Sequence, residues 1–130
     1  MPILNVKIAA PASRALTQSV AAGLSELTTR ILKKSPEVTA IAIDYIDPEH
    51  WIVAGKPLSE WKQSSFYFDI KVTDETNTKA EKEQYIREAF EFFSKLLGNV
   101  HQESYIYVQD VRASAYGYGG RTQEFRYHDR

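Results

Sequence analysis

A hydrophobic strand opens the chain: Ile3, Leu4, Asn5, Val6, Lys7 and Ile8 lie in a segment that spans residues 2–9. After a break at Pro11, apolar residues recur at Leu16, Val20, Leu24, Leu27 and Ile31, spaced by fours and one three. That spacing is the stripe of an amphipathic helix, predicted from Ser13 to about Lys34. Ser13 supplies an N-cap, Lys33 and Lys34 place cations in the last turn, and Pro36 stops the helix. An isoleucine-rich strand follows at Val38–Ile46. Residues 47–64 are irregular, with Pro48, Gly55 and Pro57, and Trp51, Ile52 and Val53 form a short edge strand. Phe66, Phe68, Ile70 and Val72 then alternate with Tyr67, Asp69, Lys71 and Thr73, the period of two of a half-buried strand. Thr78 and Glu81 form a capping box ahead of a helix carrying Ile86, Phe90, Phe93 and Leu97 on one face, closed by Gly98. Tyr105–Val111 is the last long strand, with Ile106 and Val108 on one side and Tyr105, Tyr107 and Gln109 on the other.

The same strand-helix-strand unit thus occurs twice, with helix starts about 65 residues apart. Residues 2–46 form one βαβ unit, 47–64 a linker with a short strand, 65–111 the second unit and 112–130 a hairpin or arm, all within one domain spanning 1–130. Right-handed crossovers place both helices on one face of a shared four-stranded mixed sheet, an α+β architecture. The opposite face carries Ile3, Asn5, Tyr67, Asp69, Tyr105 and Tyr107. An uncovered sheet face that bears aromatics calls for a partner, and an oligomer interface is expected there.

Composition narrows the function. At 130 residues, 43% hydrophobic and 25% charged, the chain reads as a globular domain that needs no staples. The balance of 16 basic and 17 acidic residues leaves no basic footprint for nucleic acid. No apolar run approaches a membrane span and no secretory pattern opens the chain, so cytoplasmic residence is the default. The absence of cysteine excludes disulfides, thiolate nucleophiles and cysteine-ligated metal. His50, His101 and His128 lack ligand spacing, and Gly117, Gly119 and Gly120 follow a strand without a capped helix behind them, which reads as a hairpin rather than a phosphate loop.

The strongest chemical signal is Pro2, directly behind Met1. Initiator methionine is normally removed before a small residue, which would leave a secondary amine at the terminus. An α-amino group titrates at roughly 7.7–8.0, and an apolar pocket disfavours its protonated form, so the prolyl nitrogen is poised as a general base near neutrality. Proline at this position also occurs for no chemical reason, as a stiff and processable terminus.

An amino-terminal proline that opens a duplicated βαβ unit resembles the tautomerase superfamily, in particular its macrophage migration inhibitory factor and carboxymethyl-hydroxymuconate isomerase branches. The resemblance spans nearly the whole chain and is carried by Met1-Pro2-Ile3, by Leu24-Ser25-Glu26-Leu27-Thr28, and by Tyr105 to Val111 with its continuation Ala113 to Tyr118. It implies a homotrimer whose three sheets enclose a central barrel, with an active site at each subunit boundary. The implied reaction is cofactor-independent: a keto-enol tautomerase of small 2-oxo or enol carboxylic acids, with Pro2 as base.

The same resemblance supplies the other site residues. Tyr105 matches a pocket tyrosine contributed by the neighbouring subunit, and Tyr107 one used in a dehalogenase branch. Cross-strand packing explains either tyrosine equally well. Lys34 and Lys33 lie close to the lysine that holds a substrate carboxylate, while Arg14 is displaced from the arginine used by oxalocrotonate-type members. Asp69 departs from the pattern, and pairing with Lys7 or Lys71 is its first reading. Trp51, Tyr116 and Tyr118 are candidate pocket walls. Two alternatives remain: a dehalogenase or hydratase of an unsaturated acid, weakened by the lack of arginine in Thr73–Asn77, and a non-catalytic trimeric binding protein. The carboxy-terminal run from Arg121 is expected to lie as an arm on a neighbouring subunit.

Overall fold

A computed structural model describes residues 2–128; the side chain of His128, together with Met1, Asp129 and Arg130, lies outside the description. The main sheet has the order β2-β1-β5-β6, from β1 (Ile3–Ala9), β2 (Ala40–Tyr45), β5 (Ser65–Thr73) and β6 (Tyr105–Val111). Within each repeat the strands run parallel, β1 with β2 and β5 with β6, and the two repeats meet antiparallel along β1 and β5. Helices α1 (Arg14–Leu32) and α3 (Lys79–Leu97) make the two crossovers.

Both helices cover one face. Leu4, Val6 and Ile8 of β1 and Phe66, Phe68, Ile70 and Val72 of β5 share one buried cluster with Val20, Leu24, Leu27 and Ile31 of α1 and Tyr85, Ala89 and Phe93 of α3. The centre of that core is aromatic: the Phe66 and Phe93 rings stack at 4.0 Å between centroids, and Tyr85 stands edge-on to Phe68 at 6.1 Å. Between the helices the Thr28 and Tyr85 hydroxyls, both buried, share a hydrogen bond of 2.8 Å.

The helix ends follow the local chemistry of the sequence. Ser13 Oγ accepts from the Leu16 amide at 3.0 Å, and Thr78 and Glu81 close a reciprocal capping box. Lys33, at φ 60°, turns the chain out of α1, and Pro36–Val38 forms a single 3₁₀ turn where the sequence pattern starts a strand; β2 begins only at Ala40, beside the Pro2 carbonyl. On α3, Phe93 is buried and Phe90 and Leu97 pack against the core as expected, but Ile86 is exposed and Tyr85 and Ala89 are buried instead, with the Tyr85 hydroxyl on Thr28.

Two further corrections concern the connections. Ile52–Val53 (β3) pairs with Lys56–Pro57 (β4) in a separate ribbon rather than edging the main sheet, and a short helix, α2 (Leu58–Trp61), completes the linker. The end of the chain carries the expected hairpin, β7 (Gly117–Tyr118) with β8 (Arg121–Thr122), but the run after it forms a short helix, α4 (Gln123–His128). Gly119 and Gly120 both take positive φ, 61° and 78°, as a two-residue hairpin loop requires.

The uncovered face is laid out by the register. Its rows are Ala40, Ile3, Lys71, Gln109; then Ala42, Asn5, Asp69, Tyr107; then Asp44, Lys7, Tyr67, Tyr105. Tyr105 and Tyr107 are more than half exposed.

Candidate active site

Pro2 is buried at the start of β1, where its carbonyl accepts the Ala40 amide at 3.1 Å. It opens onto a cavity of about 480 Å³ between the turn that leads into β2 and the carboxy-terminal hairpin. The walls include Ile3, Val38 and Thr39 on one side and Tyr116 and Tyr118 on the other, and Glu37 is the one acidic residue among them. Apolar walls penalise an ammonium, while a carboxylate such as that of Glu37 favours one.

Tyr116 is tied to the sheet: its hydroxyl and that of Thr73 lie 3.3 Å apart. Burial pushes the Tyr116 phenol above its ordinary value, so the hydroxyl stays protonated and able to donate at neutral pH. Lys34 stands close behind this wall. Its Nζ donates to Thr76 Oγ1 at 2.8 Å, and Thr76 in turn donates to the Thr73 carbonyl at 2.6 Å. Burial lowers the Lys34 pKa, with the nearby Glu81 and Asp110 carboxylates working against that shift. Lys33 is committed elsewhere, donating to the Arg30 carbonyl at 2.8 Å across the end of its own helix.

The remaining candidates lie away from Pro2 within one chain. Arg14 begins α1 at the opposite end of a 19-residue helix, roughly 28 Å long at 1.5 Å per residue. Tyr105 pairs with Tyr67, which pairs with Lys7, so it sits five positions further along the strands than Pro2, roughly 17 Å at the rise of an extended chain. With Trp51 it lines two other hollows, one shared with Trp61, His101 and Glu103, the other with Asn5, Lys7 and Asp69. The Tyr105 hydroxyl donates to Glu103, and that bond raises its pKa. Tyr107 lies in the middle row beside Asp69. Asp69 accepts from Lys71 Nζ at 2.6 Å and from the Tyr67 hydroxyl at 3.0 Å. It is therefore an ion-paired strand residue, with Lys71 rather than Lys7 as partner.

Sequence reasoning overlooked Thr73, Thr76, Val38 and Thr39. Thr73 ends the third long strand and Thr76 lies in the turn after it, while Val38 and Thr39 fit the pattern of a strand; nothing in their spacing marks a pocket. Among the described residues no group of three or more His, Asp or Glu is placed to hold a metal ion, and no helix is long and apolar enough to cross a membrane.

No protein-family model matches the sequence, and no curated protein matches it. Solved structures do match. An asymmetric trimer of the wild-type fused 4-OT called R7 superposes with a TM-score of 0.83 at 20% identity, over 97% of this chain and 99% of that one. Pt0534 inactivated by 2-oxo-3-pentynoate gives 0.80 at 12%, over 94% and 97% of the two chains. EhMIF, a macrophage migration inhibitory factor-like protein from Entamoeba histolytica, gives 0.76 at 15%, over 93% and 97%. At these identities the shared property is the backbone architecture, here over nearly every residue of both partners. The chain has the tautomerase fold, the architecture of these 4-OT and macrophage migration inhibitory factor-like structures.

Proposed function

We propose that the chain is a cofactor-independent keto-enol tautomerase of small 2-oxo or enol carboxylic acids, with the Pro2 nitrogen as general base. The observation that carries this reading is the burial of Pro2 beside an apolar cavity walled by tyrosines, within a fold shared with 4-OT proteins. The base takes a proton from the carbon beside the substrate carbonyl. The C–H electron pair becomes the new C=C bond, and charge moves to the carbonyl oxygen, where a tyrosine hydroxyl donates a hydrogen bond. The prolyl ammonium then returns its proton to oxygen or to carbon. All of this requires removal of Met1, since an amide nitrogen has no available lone pair; Met1 lies outside the described residues.

Tyr116 is the donor supplied by the same chain. Tyr105 and Tyr107 join only if a second chain brings the far end of its sheet to Pro2, and the trimers among the similar 4-OT structures support that assembly here. Trp51 would enter with Tyr105, and Arg14, which follows the same end of β1, would come with them. Of the two lysines, Lys34 is the candidate for the substrate carboxylate, since Lys33 is bonded to the Arg30 carbonyl.

The experiment uses the reagent known to inactivate a protein of this fold. After mass spectrometry establishes loss of Met1, the protein is assayed for ketonisation of enol acids and then treated with 2-oxo-3-pentynoate. Conjugate addition of the Pro2 amine to the alkyne forms an N–C bond, the proton passes to the adjacent carbon, and nothing leaves, so the first peptide gains the mass of one whole reagent. Pro2→Ala should lower kcat at least roughly 100-fold, the lower range for loss of a positioned base. Equal rates for the two proteins, or labelling away from Pro2, would overturn the reading. A protein that only binds would show no saturable turnover.

A further inference from the structure

The duplication reaches past the βαβ units into the segments that follow them. The ribbon of β3 and β4 turns on Ala54 and Gly55, at φ 53° and 73°, and leads into the short helix α2; the hairpin of β7 and β8 turns on Gly119 and Gly120 and leads into α4. These two turns stand about 65 positions apart, the same offset as the helix starts. The sheet registers agree: β1 first meets β2 at Ile3 and Ala40, and β5 first meets β6 at Tyr67 and Tyr105.

That relation pairs two cavities. Val38, Ala40, Tyr116, Gly117 and Tyr118 line the one at Pro2, and their counterparts in the other repeat, Glu103, Tyr105, Trp51, Ile52 and Val53, line a hollow of about 520 Å³ toward the other end of the sheet. The place of Pro2 falls to Phe66, which is fully buried and whose nitrogen is a mid-chain amide. The second cavity therefore has the walls of the first without its amine.

Its chemistry also differs. Trp51, Trp61, His101 and Tyr105 present aromatic groups, Glu103 presents a carboxylate, and no lysine or arginine is among the described residues that line it. The walls are tied in place: Trp61 Nε1 donates to the Val53 carbonyl at 3.1 Å, the Trp61 and His101 rings meet edge-on at 4.8 Å, and His101 Nδ1 accepts from the Glu103 amide at 3.0 Å. The Tyr105 hydroxyl donates to the Glu103 carboxylate and holds it at the cavity. Outside the lining, Lys56 already sets its ammonium over the Trp61 ring, 4.2 Å from the centroid. Aromatic faces beside a carboxylate suit an organic cation, which gains both the ring quadrupole and a charge-assisted hydrogen bond.

We infer that this hollow is a second binding site, one that takes an arylalkylamine, with the aryl ring against Trp51 and Trp61 and the ammonium on Glu103. Binding is non-covalent and makes no use of the Pro2 nitrogen, so the site is independent of the tautomerase reading.

The chain has two tryptophans and both line the hollow, so their indole N–H resonances, assigned with Trp51→Phe and Trp61→Phe, report its occupancy in NMR titrations of the whole protein. 2-Phenylethylamine should shift both resonances saturably, and 2-phenylethanol and phenylacetate should bind at least roughly ten-fold more weakly. Glu103→Gln should weaken the amine roughly ten-fold and leave the alcohol unchanged. Affinities are read from resonances of the folded protein, so a smaller folded fraction does not alter them. Pro2→Ala should bind the amine as the wild type does. The assignment is overturned by the absence of a saturable indole shift, by phenylacetate binding as tightly as the amine, or by equal losses for amine and alcohol in Glu103→Gln. Loss of amine binding in Pro2→Ala would place the ligand in the Pro2 cavity and overturn it as well.

Discussion

A buried hydroxyl pair joins the two repeats within the helix layer, beside the Arg30–Glu88 ion pair on its surface. Thr28 and Tyr85 come from α1 and α3 and are fully buried, so neither can turn to water if its partner is lost. Tyr85→Phe keeps the ring against Phe68 and removes only the donor and acceptor, and should cost about 1–3 kcal/mol in urea denaturation. On the proposed reading, burial at Pro2 acts toward chemistry instead of stability: a terminal amine in water would be largely protonated at neutral pH, and apolar walls oppose that. Proline at position 2 was legible as a candidate because its chemistry is intrinsic to the residue. The partnership of Pro2 with Tyr116 was not, since they meet only after 114 residues of chain have folded back across the sheet.

At the scale of elements, α1 and α3 pack closely enough to exclude a methyl group at one point. A Cβ on Gly23 would lie 2.1 Å from the Phe92 ring. Gly23→Ala gains up to about 1 kcal/mol in helix propensity but forces Phe92 out of its place beside Phe93, at a cost of about 1–3 kcal/mol. The net should be a lower melting temperature, restored when Phe92→Leu is combined with it. The capping box of α3 gives a pH dependence. The Thr78 amide and the Asn77 side chain hold the Glu81 carboxyl below its ordinary 4.5. A depressed folded value means that the contribution is complete above 4.5 and disappears as pH falls through the folded value. Melting temperatures measured downward from neutrality should therefore fall more steeply below about pH 4.5 in the wild type than in Glu81→Gln, which keeps an acceptor without a titrating charge. Both helix starts were readable from short-range signals, Ser13 and the Thr78-Glu81 pair. The face of α3 was legible at Phe90, Phe93 and Leu97 but not at its start, because Ile86 and Tyr85 both suit an apolar stripe and the buried hydroxyl at Thr28 favours Tyr85.

For the whole molecule, the open sheet face is the feature that a lone chain leaves unexplained. Exposed Tyr105 and Tyr107 stand beside charged Lys7, Asp44 and Lys71, a surface too aromatic for free solvent and too polar for a core. If three chains assemble around this face, light scattering should give three times the 14.9 kDa chain mass. Ala42→Arg, in the middle row of that face, should then yield a smaller species with unchanged far-UV circular dichroism and little tautomerase activity. Retention of both mass and activity would remove the face from the assembly and with it the shared-site role of Tyr105. The duplication itself was visible in the order of elements, since each βαβ unit announces its periods separately; how β1 and β5 align was not, because antiparallel pairing across the repeats depends on a core neither repeat forms alone.

What the amino-acid sequence determined by itself was everything written in short-range periodicity: two strand-helix-strand units, their caps, the hairpin glycines and the place of Pro2 at the head of the first strand. Tertiary structure alone decided the strand order, the ribbon and small helices of the connections, and the company kept by Pro2. The reason is one of distance along the chain. Local patterns follow from bonds and contacts within a few residues, whereas a cavity is bounded by segments far apart in sequence, and its contents are set by how the sheet and the last hairpin close on each other.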